Sequence, residues 1–526
     1  MHEIVAEDDK RAASIVPSHR EGAQLGAADD GMQRVSEASR GESKLCGICI
    51  ELVQSFPEPG TFSSFREFVR LPQSVAELEE SATWGCPFCS FRWQAIPQRA
   101  RTKLRQCTQV DYMPPRKAYV GRFIIDFRYS YTIQTDRPKK ISEAFHNSED
   151  TLRTELRFKK VKDDSVGDYL GLGLAEDDNS SSTASSNSFN CINTWIQTCN
   201  TTHEDCQATT RALESVPDRF RPTRLLDLGT HSTAQPRLIE VLQLETKPEY
   251  ITLSHCWGDY MPPRLTTGNL DQFRQGIDPV NLPPTFKDAI DITRRLSVRY
   301  LWIDSLCIIQ DSEKDWRLES ATMDQTYEHA WCNIAAAGAA DARGGCYSDR
   351  NLRHVLPLLV ALPHSSPEAK YLGHISRWDS WVDNIEESPL LKRAWVVQEQ
   401  LLSTRTIYFT QHQIFWRCKE LRASEHEPEE LQSYWLDYHD DSSDESPEDP
   451  TLVKKYTQCQ LSMPEKDKLV AISGLAKRYG HGSNYLAGLW RHLLPEQLLW
   501  QTDLCHEAPC ASRNRRSPSW SWASVD

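Results

Sequence analysis

The stretch that decides the fold is YITLSHCWG, residues 250–258. Residues 250–254 form a compact run of aromatic, β-branched and apolar side chains that predicts a strand. Pro283 and Pro284 then precede residues 286–296, in which apolar side chains recur at helical spacing. The sequence therefore predicts a buried strand followed by an amphipathic helix.

The same alternation continues toward the C-terminus. Residues 300–303, YLWI, predict a second buried strand that ends in Asp304. Asp315 could cap a helix that follows, and residues 333–337 predict a third strand. Because strands that alternate with helices pair in parallel through right-handed crossovers, we predict an α/β fold built on a parallel sheet.

Two polar segments come directly after the first two strands, at residues 254–258 and 304–310. Ligands of open parallel sheets bind beyond the carboxyl ends of the strands, so we expect both segments at one edge. Trp257 and Gly258 allow a tight turn beneath an aromatic side chain, and Asp304 supplies a carboxylate. The alternative is that Asp304 caps a turn and Trp257 only packs.

A third segment, RAWVVQE at residues 393–399, predicts a helix in which Trp395 and Glu399 are one turn apart. Partial burial of Glu399 would raise the pKa of its carboxyl group and suit it to acid/base chemistry. Arg393 could bind an anion or pair with an acid, and a purely structural Arg–carboxylate network is the alternative. The candidate catalytic residues are Glu399 and Asp304, and the candidate residues of a cofactor or ligand pocket are Ser254, Trp257, Gly258, Cys307, Gln310, Arg393, Trp395 and Gln398.

Two CxxC pairs lie near the N-terminus, Cys46 with Cys49 and Cys86 with Cys89. Four thiolates can surround zinc tetrahedrally, and each pair can bind the ion from one turn, which makes structural zinc a candidate cofactor. The separation between the pairs is longer than the common spacing, so four reduced, packed thiols are the alternative.

A further group of metal-binding residue types is Cys199, His203 and Cys206. On one predicted helix these three positions share a face. The spacing identifies no fourth ligand, and we therefore favour packing in the core for this group.

Composition narrows the classes of function. The chain has 526 residues, enough for roughly three or four domains, and a formal net charge of −14. This acidic balance argues against a broad surface for nucleic acid or acidic membranes. No apolar run reaches membrane-spanning length and no secretory signal is visible, so we predict a cytoplasmic protein whose 16 cysteines are reduced. Neither a GxGxxG fingerprint nor a phosphate-binding GK[ST] loop occurs.

Shifts in composition suggest how the chain is organised. The predicted segments are a disordered arm at 1–42, a Cys-pair module with a β-rich segment at 43–170, a flexible linker at 171–190, a helical and β lead-in at 191–249, the α/β domain at 250–400, and an α+β region at 401–526 that contains an acidic linker at 440–450. In the second of these, residues 118–127 predict a strand with a possible glycine bulge.

At the three blocks 250–258, 301–310 and 393–399 the sequence resembles the heterokaryon incompatibility (HET) domain family of filamentous fungi. Three ordered blocks together are a specific signal, and flanking pieces at 195–206, 222–227, 467–471 and 519–524 also look familial. The resemblance implies a distant relation to Toll/interleukin-1 receptor-like domains, and hence a flavodoxin-like, doubly wound parallel sheet as the core.

The resemblance implies a role in non-self recognition or regulated cell death after hyphal fusion. The first hypothesis is a signalling effector that binds a protein partner or associates with itself, with no nucleic-acid partner and no membrane span. The second is a nucleotide glycohydrolase with NAD as substrate, because some Toll/interleukin-1 receptor-like relatives cleave NAD with a glutamate; Glu399 is a candidate by that analogy alone. The third is a zinc-stabilised adaptor.

Overall fold

The chain divides into two units, residues 1–42 and 43–526, and all described residues belong to the second. The predicted arm at 1–42, the linker residues 171–180 and the acidic residues 440–449 lie outside the described part. The computed structural model describes residues 45–54, 69–71, 73–96, 101, 109–113, 122–130, 151–161, 181–215, 220–231, 233–350, 358–361, 370–374, 381–425, 427–428, 450–479, 484–501 and 517–525.

Strands and helices alternate through the middle of the chain. The strands, in chain order, are β1 (Val69–Leu71), β2 (Gln109–Met113), β3 (Arg122–Ser130), β4 (Thr151–Val161), β5 (Arg224–Asp227), β6 (Arg237–Glu240), β7 (Tyr250–Ser254), β8 (Tyr300–Trp302), β9 (Cys332–Ala335), β10 (Leu358–Ala361), β11 (Lys370–His374), β12 (Arg405–Phe409), β13 (Ile414–Cys418), β14 (Arg422–Ser424), β15 (Tyr485–Leu486) and β16 (Leu489–Trp490). The α-helices are α1 (Gly47–Gln54), α2 (Val75–Thr83), α3 (Pro87–Ala95), α4 (Ser186–Thr201), α5 (Glu204–Ser215), α6 (Leu270–Gln275), α7 (Pro284–Arg295), α8 (Asp304–Cys307), α9 (Glu313–Glu328), α10 (Ala394–Leu402), α11 (Pro450–Thr457), α12 (Pro464–Asp467), α13 (Val470–Tyr479) and α14 (Leu494–Gln497).

The core is an eight-stranded mixed sheet in the order β14-β13-β12-β9-β7-β8-β5-β6. Its four central strands, β12, β9, β7 and β8, are parallel to one another. The flanking strands β13 and β14 on one side, and β5 and β6 on the other, pair antiparallel. The α/β prediction is confirmed, but only the centre of the sheet is parallel. Each flank contains an antiparallel hairpin whose residues lie outside 250–399.

The predicted alternation from β7 to β9 is confirmed. All residues of β7 are buried, as its sequence required. Helix α7 begins with Pro284 at its first position, and Phe286, Ala289 and Ile290 face the core. Strand β9 follows α9, and all its residues are buried despite its alanine.

Helix α9 begins earlier than Asp315, so the predicted cap is wrong. The hydroxyl of Ser312 is the cap, because it accepts the backbone N–H of Asp315 at 3.2 Å. The Asp315 carboxylate is instead engaged by the guanidinium of Arg224 at 2.6 Å, with a contribution from the backbone N–H of Ile309. Asp315 therefore does not cap the helix, because its carboxylate is paired with Arg224, which lies 91 residues away in the sequence.

Residues 199–206 were predicted to lie on one helix, and this prediction is wrong. Helix α4 ends at Thr201 and α5 begins at Glu204, so His203 lies between the two. Helix α4 begins at Ser186, where the hydroxyl of Ser185 accepts the backbone N–H of Ser188. The indole of Trp195 in α4 stacks on Trp416 of β13, with ring centroids 6.2 Å apart. This contact places α4 against the flank of the sheet.

A second, six-stranded sheet has the order β1-β2-β3-β4-β11-β10. Its strands pair antiparallel throughout, and β10 and β11 come from the segment after β9. Of the predicted strand at 118–127, residues 122–127 lie in β3 and residues 118–121 lie outside the described part. No helix in the described ranges has the length and apolar character needed to cross a membrane.

Candidate functional site

The first two blocks meet at the carboxyl edge of the parallel strands. The indole Nε1 of Trp257, just after β7, donates to Oδ2 of Asp304 at 3.0 Å. The other carboxylate oxygen of Asp304 accepts the backbone N–H of Ser305 at 2.6 Å and lies 3.8 Å from Nδ1 of His255. Asp304 therefore fixes the turn after β8 and binds the tryptophan of the neighbouring strand at the same time.

Gly258 makes this turn possible. Its φ of +59° lies in the left-handed region, and a Cβ at this position would come within 2.5 Å of Cβ of Asp341 and 2.8 Å of the carbonyl oxygen of Ala340. Only glycine satisfies both the backbone conformation and the close approach of residues 340–341. Gly258 is thus required by the backbone, whatever the function of the edge.

We expect Gly258→Ala to lower the free energy of unfolding by about 2 kcal/mol, because the methyl group adds left-handed strain and a steric clash. Urea unfolding followed by tryptophan fluorescence would measure the change. Gly268→Ala is the matched control, since a Cβ there meets nothing nearer than Oγ1 of Thr266 at 3.9 Å. Equal stability of the two variants would contradict the requirement for glycine.

The third block reaches the same edge from α10. Glu399 is only 3% exposed, and its Oε2 has no hydrogen-bond partner. Burial raises the pKa of Glu399 to about 7; the nearby charge of Arg393 and the hydroxyls of Ser254 and Tyr327 oppose this rise, whereas Asp304 adds to it. A carboxyl group with such a pKa can both give and take a proton near neutral pH.

Arg393 connects α10 to the segment after β7. Its guanidinium donates to the backbone carbonyl of His255, so it binds a peptide oxygen rather than a carboxylate. The positive charge still acts on Glu399, whose pKa it lowers. The structure thus brings Ser254, Trp257, Asp304, Arg393 and Glu399 together.

The remaining candidates have other contacts. Gln310 donates to the backbone carbonyls of Asp304 and Ile308, each at 3.1 Å, and so supports the turn that holds Asp304. The thiol of Cys307 is fully buried, and burial raises its pKa to about 12, which makes it a poor nucleophile. The side chains of Trp395 and Gln398 contact helices α12 and α13, which follow the eight-stranded sheet in the chain.

Trp395 and Gln398 each contact a different helix. Nε1 of Trp395 donates to Oδ2 of Asp467, the last residue of α12, at 3.3 Å. Gln398 is buried beside Gly474 of α13, where a Cβ would come within 2.6 Å of its Oε1. Trp395 therefore joins α10 to α12, and Gln398 packs against α13.

Three further residues join this group, although they were not among the candidate site residues. His255 is fully buried, and burial lowers its pKa to about 4 despite the opposing charge of Asp304. Asn333 of β9 exchanges hydrogen bonds with Ser254 at 3.0 and 3.3 Å, and Tyr327 of α9 lies beside both Ser254 and Glu399. The polar Asn333 inside a buried strand was the one sequence signal that could have identified it.

The two N-terminal CxxC pairs do come together. The four sulfur atoms of Cys46, Cys49, Cys86 and Cys89 all lie within 4.8 Å of one another, with Sγ of Cys89 at 3.6 Å from Cys46 and 3.3 Å from Cys49. A tetrahedral zinc site requires sulfur separations of about 3.8 Å. The amide of Gln73 donates to Sγ of Cys89 at 3.6 Å, a contact of the kind that stabilises a thiolate ligand. The cluster could therefore hold a metal ion, and its four sulfurs fit zinc.

We expect natively purified Cys89→Ser chain to hold one zinc ion fewer than the unmodified chain, because three thiolates no longer close the tetrahedron. Elemental analysis by mass spectrometry would measure zinc per chain. Cys459→Ser is the control, since this half-buried thiol hydrogen-bonds to the backbone carbonyls of Leu391 and Lys455 and lies outside the four-cysteine cluster. Equal zinc contents in Cys89→Ser and the unmodified chain would exclude this site.

The fold and the edge cluster together define an α/β protein with a buried glutamate, an aspartate and a tryptophan beyond its parallel strands. Residues 250–399 match the family model described as Heterokaryon incompatibility protein (HET). The match begins at the first residue of β7 and ends at Glu399, so it contains all three blocks. This chain carries a heterokaryon incompatibility domain. No curated protein and no solved structure matches the chain.

Proposed function

We propose that the chain is a heterokaryon incompatibility-type effector of fungal non-self recognition, which signals toward regulated cell death through association of its α/β domain. The match of residues 250–399 to the HET family carries this proposal. The order of the parallel strands, β8-β7-β9-β12, supports it, because second-first-third-fourth is also the order in flavodoxin-like doubly wound sheets. Toll/interleukin-1 receptor-like domains, to which the resemblance points, have such a sheet.

The loop after β7 is the contact surface that we propose. Met261 is 61% exposed there, and the half-buried Trp257 and Tyr260 lie beside it. Aromatic residues and methionine are enriched in protein interfaces. The guanidinium of Arg343, which is paired with Asp341 at 2.6 Å, lies over the ring of Tyr260, 5.4 Å from its centroid.

Light scattering during size-exclusion chromatography of the full chain tests association. We expect a mass that rises with concentration, and loss of this rise in Met261→Glu. Leu318→Glu is the control, because Leu318 is 60% exposed, as Met261 is, but belongs to α9 and not to the loop after β7. Expression of the same variants in a filamentous fungus should show cell death for the control alone. A chain that stays monomeric and causes no death would refute the proposal.

A second candidate function is hydrolysis of NAD to ADP-ribose and nicotinamide. The pKa of about 7 at Glu399 favours it, because this carboxylate could take the proton of the water that attacks the ribose carbon as nicotinamide leaves. Incubation with NAD and detection of nicotinamide tests it. We expect activity to disappear in Glu399→Gln and to persist in Glu313→Gln, an exposed glutamate on α9. The absence of nicotinamide from the unmodified chain would exclude this reaction.

The cytoplasm is the proposed location, and every described cysteine is free of a disulfide, which supports a reducing compartment.

A third candidate function, a zinc-stabilised adaptor, rests on the four N-terminal thiols. The zinc measurement on Cys89→Ser tests that basis directly.

A further inference from the structure

A second cluster of metal-binding side chains lies at the far flank of the main sheet. Cys199 is in the last turn of α4, His203 lies between α4 and α5, and Cys206 is in the first turn of α5. Cys418, the last residue of β13, completes the group, although it lies 212 positions after Cys206 in the sequence. The ligand atoms of all four residues lie within 4.8 Å of one another.

The cluster has the dimensions of a tetrahedral site. Sγ of Cys418 lies 3.3 Å from Nδ1 of His203, and the thiols of Cys199 and Cys206 are fully buried. Bonds of about 2.3 Å to sulfur and about 2.0 Å to nitrogen place the ligand atoms of zinc about 3.5–3.8 Å apart. Three thiolates and one imidazole are a common ligand set for structural zinc.

Packing of reduced, neutral thiols does not account for the surroundings of this cluster. Nε of Arg405 donates to Sγ of Cys199 at 3.2 Å, and the backbone amides of Glu420 and Leu421 donate to the sulfur of Cys418. Donors directed at two of the sulfurs are the contacts by which proteins stabilise thiolates bound to a metal. A neutral thiol gains little from such donors.

The charge of Arg405 is the second observation. This guanidinium is 5% exposed, and within the described ranges no carboxylate forms an ion pair with it; its other bond goes to the backbone carbonyl of Trp331. A buried cation requires a compensating negative charge. A zinc ion bound by three thiolates and a neutral imidazole carries one net negative charge, which balances Arg405.

We propose that Cys199, His203, Cys206 and Cys418 bind a structural zinc ion. Because the protein supplies all four ligands, the site has no open position for substrate and is not catalytic. The ion fastens the helices that precede the HET domain to a strand that follows it. By closing so long a segment of chain, it stabilises the arrangement of α4 and α5 on the sheet.

The first experiment leaves the proposed ligands intact. The full-length Cys46→Ser/Cys49→Ser chain lacks one N-terminal pair, so its zinc content reports the second cluster alone. We expect one zinc ion per chain, with three sulfur neighbours and one nitrogen neighbour by X-ray absorption spectroscopy. A chain without zinc, or a zinc bound by four sulfurs, overturns the proposal.

The second experiment removes a ligand in the same background. Cys418→Ser is expected to lose the ion, whereas Cys191→Ala retains it; Cys191 is equally buried on α4 but lies outside the cluster. Retention of zinc by Cys418→Ser overturns the proposal. Should that variant not fold, chelation and reloading of the parent chain replace it. We expect the thermal midpoint to fall and then recover, and an unchanged midpoint contradicts a structural ion.

Discussion

Replacing Arg350 with methionine is expected to lower the free energy of unfolding by about 3–5 kcal/mol, because it leaves a buried carboxylate without its counter-charge. The Arg350 guanidinium is 1% exposed and pairs through both terminal nitrogens with Glu425, whose side chain is 7% exposed. Ser188 of α4 donates to Glu425 at 2.7 Å and accepts from Arg350 at 2.8 Å. This pair thus joins α4 to the segment after β14.

The chain offers two comparisons for this prediction. Arg317→Met breaks an ion pair with Glu313 in which both side chains are about 70% exposed, so we expect little change. Arg350→Met combined with Glu425→Gln should recover part of the loss, because it removes the unpaired buried charge. The recovery is incomplete, since Ser188 and the backbone N–H of Ile414 donate to different carboxylate oxygens and the amide oxygen can replace only one of them. Urea unfolding of the three variants measures these differences. Equal effects of Arg350→Met and Arg317→Met would contradict the argument.

Replacing Glu399 with glutamine is expected to change how stability depends on pH. Burial raises the pKa of Glu399 from 4.5 to about 7, so the folded chain holds its proton more tightly than the unfolded chain does. Below pH 4.5 the group is protonated in both states and costs nothing. Between pH 4.5 and about 7 the unfolded chain has lost the proton and the folded chain still holds it, so the native state becomes progressively less stable, by about 3 kcal/mol in all. The loss is complete once the folded chain has also lost its proton.

Glutamine cannot titrate, so the variant should gain about 3 kcal/mol relative to the unmodified chain between about pH 4.5 and about pH 8. Unfolding midpoints in urea at the two pH values measure this gain. Glu313→Gln, at an exposed surface pair, should follow the unmodified chain at both values. A constant difference between Glu399→Gln and the unmodified chain would show that this carboxyl titrates normally.

Local patterns in the sequence were sufficient for β7, α7 and β8, because burial on one face imposes a period that neighbouring residues reveal. They also indicated the edge where Trp257 and Asp304 meet, since parallel strands end together. The flanking hairpins of the sheet were not predicted as part of it. Arg224–Asp227 and Ile414–Cys418 join it through pairing with distant strands, and no local period encodes that choice.

Long-range partners account for most of the remaining differences. Cys418 is too far along the chain from Cys206 for spacing to connect them, and Asn333 meets Ser254 only because β7 and β9 are neighbours. Trp395 has the helical spacing to face Glu399, yet a hydrogen bond with Asp467 directs it elsewhere. In each case the decisive contact depends on the packing of elements and not on adjacent residues.

The flanking hairpins also limit how the matched segment can be moved between proteins. Cut at residues 250 and 399, a fragment would lose β12 beside β9 and β5 beside β8, and both outer strands would present unpaired peptide groups to water. Exposed strand edges of this kind pair with strands of other chains and promote aggregation. We therefore expect domain exchange by recombination to keep all eight strands of the sheet only when the breakpoints lie before residue 224 and after residue 424.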